Sequence, residues 1–127
     1  MADDRVIEWA QSMRGSEVRA FMRARRRFLK RPSSKRLREL RAAAGRLRSL
    51  FEDFRDVLPW RKRNALRRLI CLCGEARDAQ ALRSVLGDAI DSRERPGART
   101  LARDLRTLER RCFRRVRRLL APLRYTA

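Results

Sequence analysis

Arg38, Arg41 and Arg48 recur at steps of three and seven residues, with Gly45 in the gap, so on a helix three guanidinium groups line one side. A guanidinium is planar and permanently charged, and its forked N–H donors match phosphate and carboxylate oxygens, so such a row is suited to gripping an anion. Two further rows share this spacing. One holds Arg19, Arg23, Arg26, Arg27 and Lys30; the other holds Arg99, Arg103, Arg106, Arg110 and Arg117, with Arg114 beside it. Like charges three and four residues apart destabilise an isolated helix, so the rows imply an anionic partner. A separate constellation is Cys73-Gly74-Glu75-Ala76-Arg77-Asp78. Arg77 stands four residues after Cys73, where the apolar phase calls for a core side chain, and a guanidinium turned inward must meet an acid or a charged ligand. Its internal partner would be an acid such as Asp78 or Glu75, and Gly74 would let another helix approach closely.

The charge balance points the same way. The 127 residues carry 35 basic and 15 acidic side chains, a net charge of +20, and only Lys30, Lys35 and Lys62 among the basic ones are lysine. A merely soluble surface intersperses both signs, because self-repulsion opposes compactness. Nucleic acid is the default partner for such a chain, yet aromatics make up 6% of it and most phenylalanines fall on apolar stripes, which leaves little on which bases stack. With no histidine, the commonest general base, the Ser–His and Cys–His pairs and the zinc-protease motifs are all excluded. Three cysteines, two of them at Cys71 and Cys73 on different helix faces, suit neither a disulfide nor a four-ligand zinc site, and Cys73 and Cys112 read as small core residues. No metal and no cofactor is expected.

These side chains need long helices to position them. Apolar periodicity predicts four, with few glycines or prolines to punctuate an all-β chain. The first runs from about Asp3 to Lys30 on Ile7, Ala10, Val18, Phe21, Met22, Phe28 and Leu29, with Gly15-Ser16 as an interruption, and Arg31-Pro32-Ser33-Ser34 ends it. The second, about Ser34 to Val57, buries Leu37, Leu40, Ala44, Leu47, Phe51 and Phe54. The third starts at Pro59 and reaches Asp91 on Leu66, Leu69, Ile70, Cys73, Leu82, Val85, Leu86 and Ile90. After an Arg95-Pro96-Gly97 turn, the fourth, about Ala98 to Leu120, uses Leu101, Leu105, Leu108, Cys112, Val116 and Leu119, with Leu123 beyond it. Short links between long amphipathic helices predict an all-α, antiparallel four-helix bundle in a single domain, 1–127. The longest uncharged run is six residues, Leu69 to Gly74, far below the ~20 needed to span a bilayer. The acidic start at Asp3-Asp4 leads to no apolar signal region, so a cytoplasmic protein is expected.

The two constellations together resemble the CHAD family, the conserved histidine α-helical domain. Its first signature, approximately H-x-x-R-V-x-x-R-R-L-R, is matched from Arg38 to Arg48 at Arg41, Arg46, Leu47 and Arg48. Its second, L-G-x-x-R-D-x-x-V-L, is matched from Cys73 to Leu82 at Gly74, Arg77, Asp78 and Leu82. The likeness extends over about residues 16–120. Arg38 stands where the family has its histidine, which makes that charge permanent, and Gly45 replaces an arginine of the basic face.

The resemblance implies half of a domain that in full consists of two similar four-helix bundles around a basic channel, with inorganic polyphosphate held by the channel's arginines and lysines. Matching positions make Arg38, Arg41, Arg48 and Arg77 the candidate ligands, with Arg46 in the motif but rotated off the stripe. Periodicity adds Arg19, Arg23, Arg27 and Lys30 on the first helix and Arg103, Arg106 and Arg110 on the fourth. Some relatives join this domain to a triphosphatase whose E-x-E-x-K strand is absent here, so a non-enzymatic binding module is expected, targeted to polyphosphate granules. Two copies pairing about a two-fold axis would rebuild the channel. The competing readings are a small basic nucleic-acid-binding protein and an enzyme acting on phosphorylated substrates through Glu75 and Asp78.

Overall fold

The computed structural model describes residues 3–92 and 96–127, and at 88–92 and 96 the backbone alone. The Arg95-Pro96 part of the expected turn and the core position assigned to Ile90 lie outside the described side chains. Four helices form the protein, α1 (Asp4–Lys30), α2 (Ser34–Asp53), α3 (Arg63–Ser92) and α4 (Pro96–Leu120), and there is no strand among the described residues. No helix of the described residues is long and apolar enough to cross a membrane.

Each start has a local cause. Asp3 accepts a hydrogen bond from Arg5 N (3.2 Å) and Ser33 from Arg36 N (3.2 Å), so both N-caps satisfy donors that the first turn leaves open. α1 runs unbroken through Gly15 and Ser16, contrary to the predicted interruption, because Ala10 before it and Val18 and Phe21 after it are fully buried and hold the helix on both sides. α2 stops at Asp53, four residues short of Val57, and α3 begins at Arg63 rather than Pro59. Packing decides both ends. Leu58 is buried, Trp60 stacks on Phe51 with centroids 5.9 Å apart, and Lys62 adopts a left-handed φ of 56° while its ammonium donates to Pro122 O (3.0 Å) and Arg124 O (2.8 Å).

Consecutive helices run antiparallel. Arg46 meets Glu17 and Arg27 meets Glu39 between α1 and α2; Gln80 reaches Ser34 between α2 and α3; Arg83 meets Glu109 and Arg115 meets Glu75 between α3 and α4. The core lies where the four apolar stripes converge, on Phe21, Phe28, Leu40, Leu47, Phe51, Leu69, Val116 and Leu120. Truncating one of these phenylalanines to alanine costs roughly 3–5 kcal/mol by the usual behaviour of buried aromatics. The C-terminal tail completes the core: Leu123 is fully buried, and Tyr125 packs on Phe21 and Phe51 while its hydroxyl donates to Arg61 O at 3.1 Å.

Four expected core positions are exposed instead: Leu82, Val85, Leu101 and Leu108. Leu82 follows Cys73 by two and a half turns and so emerges on the opposite side of α3. α1 ends at Lys30 and α2 starts at Ser34, level with Gln80, so the α3–α4 hairpin beyond that level has no helix of the first pair to cover it. The helix axis there buries Ala79, Ala102 and Leu105 between α3 and α4 alone.

Among the described residues, one charged side chain is buried in this core. Arg25 is 5% exposed, and it donates from Nε to Leu120 O (3.0 Å) and from Nη2 to Ala121 O (3.3 Å). It thereby joins α1 to the open carbonyls at the end of α4, where a cation is also favoured by the helix dipole. Burial, together with the nearby Arg124, lowers its pKa from the usual arginine value. The substitution Arg25→Met keeps the apolar stem but strands two carbonyls, so it should cost about 2 kcal/mol and lower Tm by several degrees. Arg26→Met, at an exposed position one residue on, should stay within about 0.5 kcal/mol; urea denaturation of both variants measures the difference.

Candidate polyanion groove

Burial of Leu37, Leu40, Ala44 and Leu47 fixes the rotation of α2, and burial of Cys73 and Ala76 fixes that of α3. Arg38 and Arg41 therefore emerge from α2 on the flank that faces α3, and Arg77 emerges from α3 opposite them. The three line a groove of about 670 Å³ together with Leu37, Cys73 and Gln80. Gln80 ties its walls together by donating to Ser34 Oγ (2.6 Å) and to Glu109 Oε1 (3.2 Å) on α4. No carboxylate among the described residues forms a salt bridge with Arg38, Arg41 or Arg77. The result is a concave surface with an apolar floor, three uncompensated guanidinium groups and no carboxylate among its lining residues, an arrangement that can bind anionic oxygens.

Arg77 reaches this groove by a different route from the one its spacing suggests. Ala76, fully buried, occupies the core phase three residues after Cys73, and Arg77 is exposed at the groove edge rather than turned into the bundle. The internal ion pair with Asp78 or Glu75 is absent among the described contacts; Glu75 instead lies 3.9 Å from Arg115. Gly74 serves no close approach either, since a Cβ there would meet nothing within 4 Å.

A family model, the CHAD domain, matches residues 13–127. The chain belongs to the CHAD family. Nothing matches this chain among curated proteins or among solved structures. The match includes the tail carrying Leu123 and Tyr125, which the motif-based likeness over residues 16–120 left out, and both side chains are buried in the core of this bundle. Domains of this family are associated with binding polyphosphate.

The other residues singled out by the sequence are dispersed around this CHAD bundle. Arg48 lies outside the groove, its Nε 3.8 Å from Glu52, in a depression lined also by Trp9, Gly45 and Arg46. Arg46 pairs with Glu17 at 3.2 Å, and with Arg23 and Arg27 it edges a dip between α1 and α2 that also contains Glu39. Arg19 stands beside Tyr125 and the C-terminus, and Lys30 is exposed in the last turn of α1. Arg103, Arg106 and Arg110 are exposed on α4 and line none of these depressions. Sequence reasoning missed Arg67, Arg68, Arg115 and Arg118, which share a depression between α3 and α4. The spacing of Arg111, Arg115 and Arg118 along α4 carried the signal, one face round from the row that the periodicity picked out.

Beneath the groove, burial pushes the Cys73 thiol up to about 12, against the opposing pull of Arg41. Burial likewise raises Tyr125 to about 12, with Arg14 opposing. Both groups hold their protons more tightly when folded, so their contribution is fully present below their unfolded values and is lost as pH rises from about 9 toward 12. Stability should therefore decline above pH 9, with Cys73 accounting for on the order of 1 kcal/mol by pH 10. Urea denaturation of the protein and of Cys73→Ala between pH 7 and pH 10.5, about one unit apart, checks this: the variant's stability should fall less steeply.

Proposed function

We propose that this CHAD domain binds inorganic polyphosphate in the α2–α3 groove, with Arg38, Arg41 and Arg77 as the principal ligands, and catalyses no reaction on it. The observation that carries the reading is the unpaired state of these three guanidinium groups, in a chain where many other cations are already committed to carboxylates or helix-end carbonyls. A polyphosphate chain offers oxygens for forked hydrogen bonds and has no bases, which suits a groove walled by arginine and floored by Leu37 and Cys73 rather than by aromatic rings. The aromatic side chains are mostly spent on one another, in the pairs Phe21–Tyr125, Phe28–Phe113 and Phe51–Trp60. Glu75 and Asp78 line no part of the groove, so the acids once suggestive of catalysis have no reacting group to serve there. Neither phosphate release from polyphosphate nor hydrolysis of nucleoside triphosphates with magnesium is expected.

Two-fold pairing of copies is part of the proposal. The groove is open on one side, and a second copy facing it would surround the polyanion with cations from both chains. Light scattering with and without polyphosphate tests this: a monomer at micromolar concentration with undiminished binding overturns it. Localisation to polyphosphate granules follows from the same affinity.

A second reading, binding of single-stranded nucleic acid, rests on Trp9. That residue is 53% exposed beside Arg46 and Arg48, and its ring, tilted against Phe54 with centroids 5.3 Å apart, leaves a place for one base to stack. Competition separates the two, since long-chain polyphosphate should displace RNA at far lower phosphate-equivalent concentration if the groove is the main site.

Arg41→Glu and Arg77→Glu should each weaken polyphosphate binding by about tenfold or more, whereas Arg5→Glu, outside the groove, should change it by less than about threefold. Equal losses at all three positions would mean a diffuse field instead of a site. Gly45→Ala, at a position outside the groove where a Cβ meets nothing within 4 Å, should raise Tm, because glycine in a helix interior costs about 1 kcal/mol, and should leave polyphosphate binding unchanged within about twofold. Isothermal titration at two salt concentrations, with thermal denaturation alongside, measures both effects.

A further inference from the structure

α3 has a second charged side. Cys71 and Cys73 are two residues apart and so about 200° apart around the helix, Cys73 under the α2–α3 groove and Cys71 on the opposite flank. On that flank α3 contributes Arg67 and Arg68 and α4 contributes Arg115 and Arg118, around a depression of about 550 Å³ with Leu72 in its floor. One carboxylate, Glu75, stands among these four guanidinium groups. It lies 3.9 Å from Arg115 with both side chains more than half exposed, a pair worth little against solvent screening. Arg67 is preset, lying 5.2 Å over the Trp60 ring and 3.8 Å from Glu52, while Arg68 and Arg118 have no partner among the described residues.

We infer that this α3–α4 depression is a second polyphosphate site, and that one protein molecule bridges two polyphosphate strands across the thickness of α3. The inference rests on the polyphosphate reading of the first groove and extends it from binding to cross-linking. Two sites facing in opposite directions cannot both engage one short anion, so short chains fill them independently. Long chains carry many sites, and a bivalent protein turns them into a network. The field of +20 favours recruitment to both sides, and release of counterions from each strand makes the network salt-sensitive.

The cysteines supply the test. Cys71 is exposed while Cys73 and Cys112 are buried, so a neutral maleimide applied to the folded protein reads the second site through Cys71 alone. Long-chain polyphosphate should slow Cys71 labelling by roughly tenfold, and this protection should survive Arg38→Glu/Arg41→Glu/Arg77→Glu, which empties the first groove. Arg68→Glu/Arg118→Glu should abolish the protection, halve the stoichiometry of tripolyphosphate measured by titration, and remove the turbidity that wild-type protein develops with long chains. Arg68→Gln/Arg118→Gln repeats the comparison with a milder change, and circular dichroism verifies the fold of each. Labelling unaffected by polyphosphate, with binding in the first groove intact, overturns the second site alone. Loss of protection in the triple variant overturns it too, because the two faces would then be one site. Absence of polyphosphate binding by the wild-type protein overturns both readings.

Discussion

The bundle depends on a cation placed where helices leave their carbonyls open. Arg25, buried on α1, holds Leu120 O and Ala121 O at the end of α4, and so fastens the first helix to the last from the inside. The same device recurs at the C-terminal end of α1: Arg36 donates to Arg27 O (2.9 Å) and Arg31 O (3.1 Å), and Arg117 donates to Leu29 O (2.8 Å). Lys62 and Arg14 tie down the C-terminal tail through Arg124 O and Thr126 O. A chain with a net charge of +20 has too few acids to neutralise its arginines, and these bonds let cations stabilise the fold by way of backbone dipoles instead.

That use of charge defines the surface left for function. Arginines that reach a helix end or a carboxylate are neutralised, and some of the others gather between neighbouring helices, as at Arg38, Arg41 and Arg77 between α2 and α3. α3 is the wall common to the charged depressions on both of its flanks, and its mixed character follows from that position. Its buried residues Leu66, Leu69, Cys73 and Ala76 face neighbours, while both flanks between them carry arginine.

Much of this was legible along the chain. The four helices and the break at Arg31-Pro32 follow from period and capping chemistry, which act within a few residues. The two CHAD signatures brought Arg38, Arg41 and Arg77 together before any packing was known, although Arg77 was read as pointing inward. The error has a simple source: a stripe advancing by three or four leaves a choice at each step, and the step from Cys73 fell on Ala76. Leu82, Val85, Leu101 and Leu108 misled in a related way. A leucine states a preference for burial, but α1 and α2 do not extend along the α3–α4 hairpin to satisfy it. Arg25 stands in phase with the core of α1, seven residues after Val18, four after Phe21 and three before Phe28, which separates it from Arg23 and Arg26; what no local pattern shows is its partners, the carbonyls at the end of α4.

By itself the sequence determined an all-α bundle, a polyanion-seeking charge made almost wholly of arginine, and membership of a family read from two short motifs. Only the tertiary structure decided which arginines are free. The reason is that an arginine's partner is set by segments far along the chain, ninety-five residues away for Arg25 and Leu120, so its commitment depends on how the helices pack and not on any local period. The same packing turned two neighbouring cysteines into a buried floor on one side of α3 and an exposed thiol on the other, and with them gave the helix two charged faces.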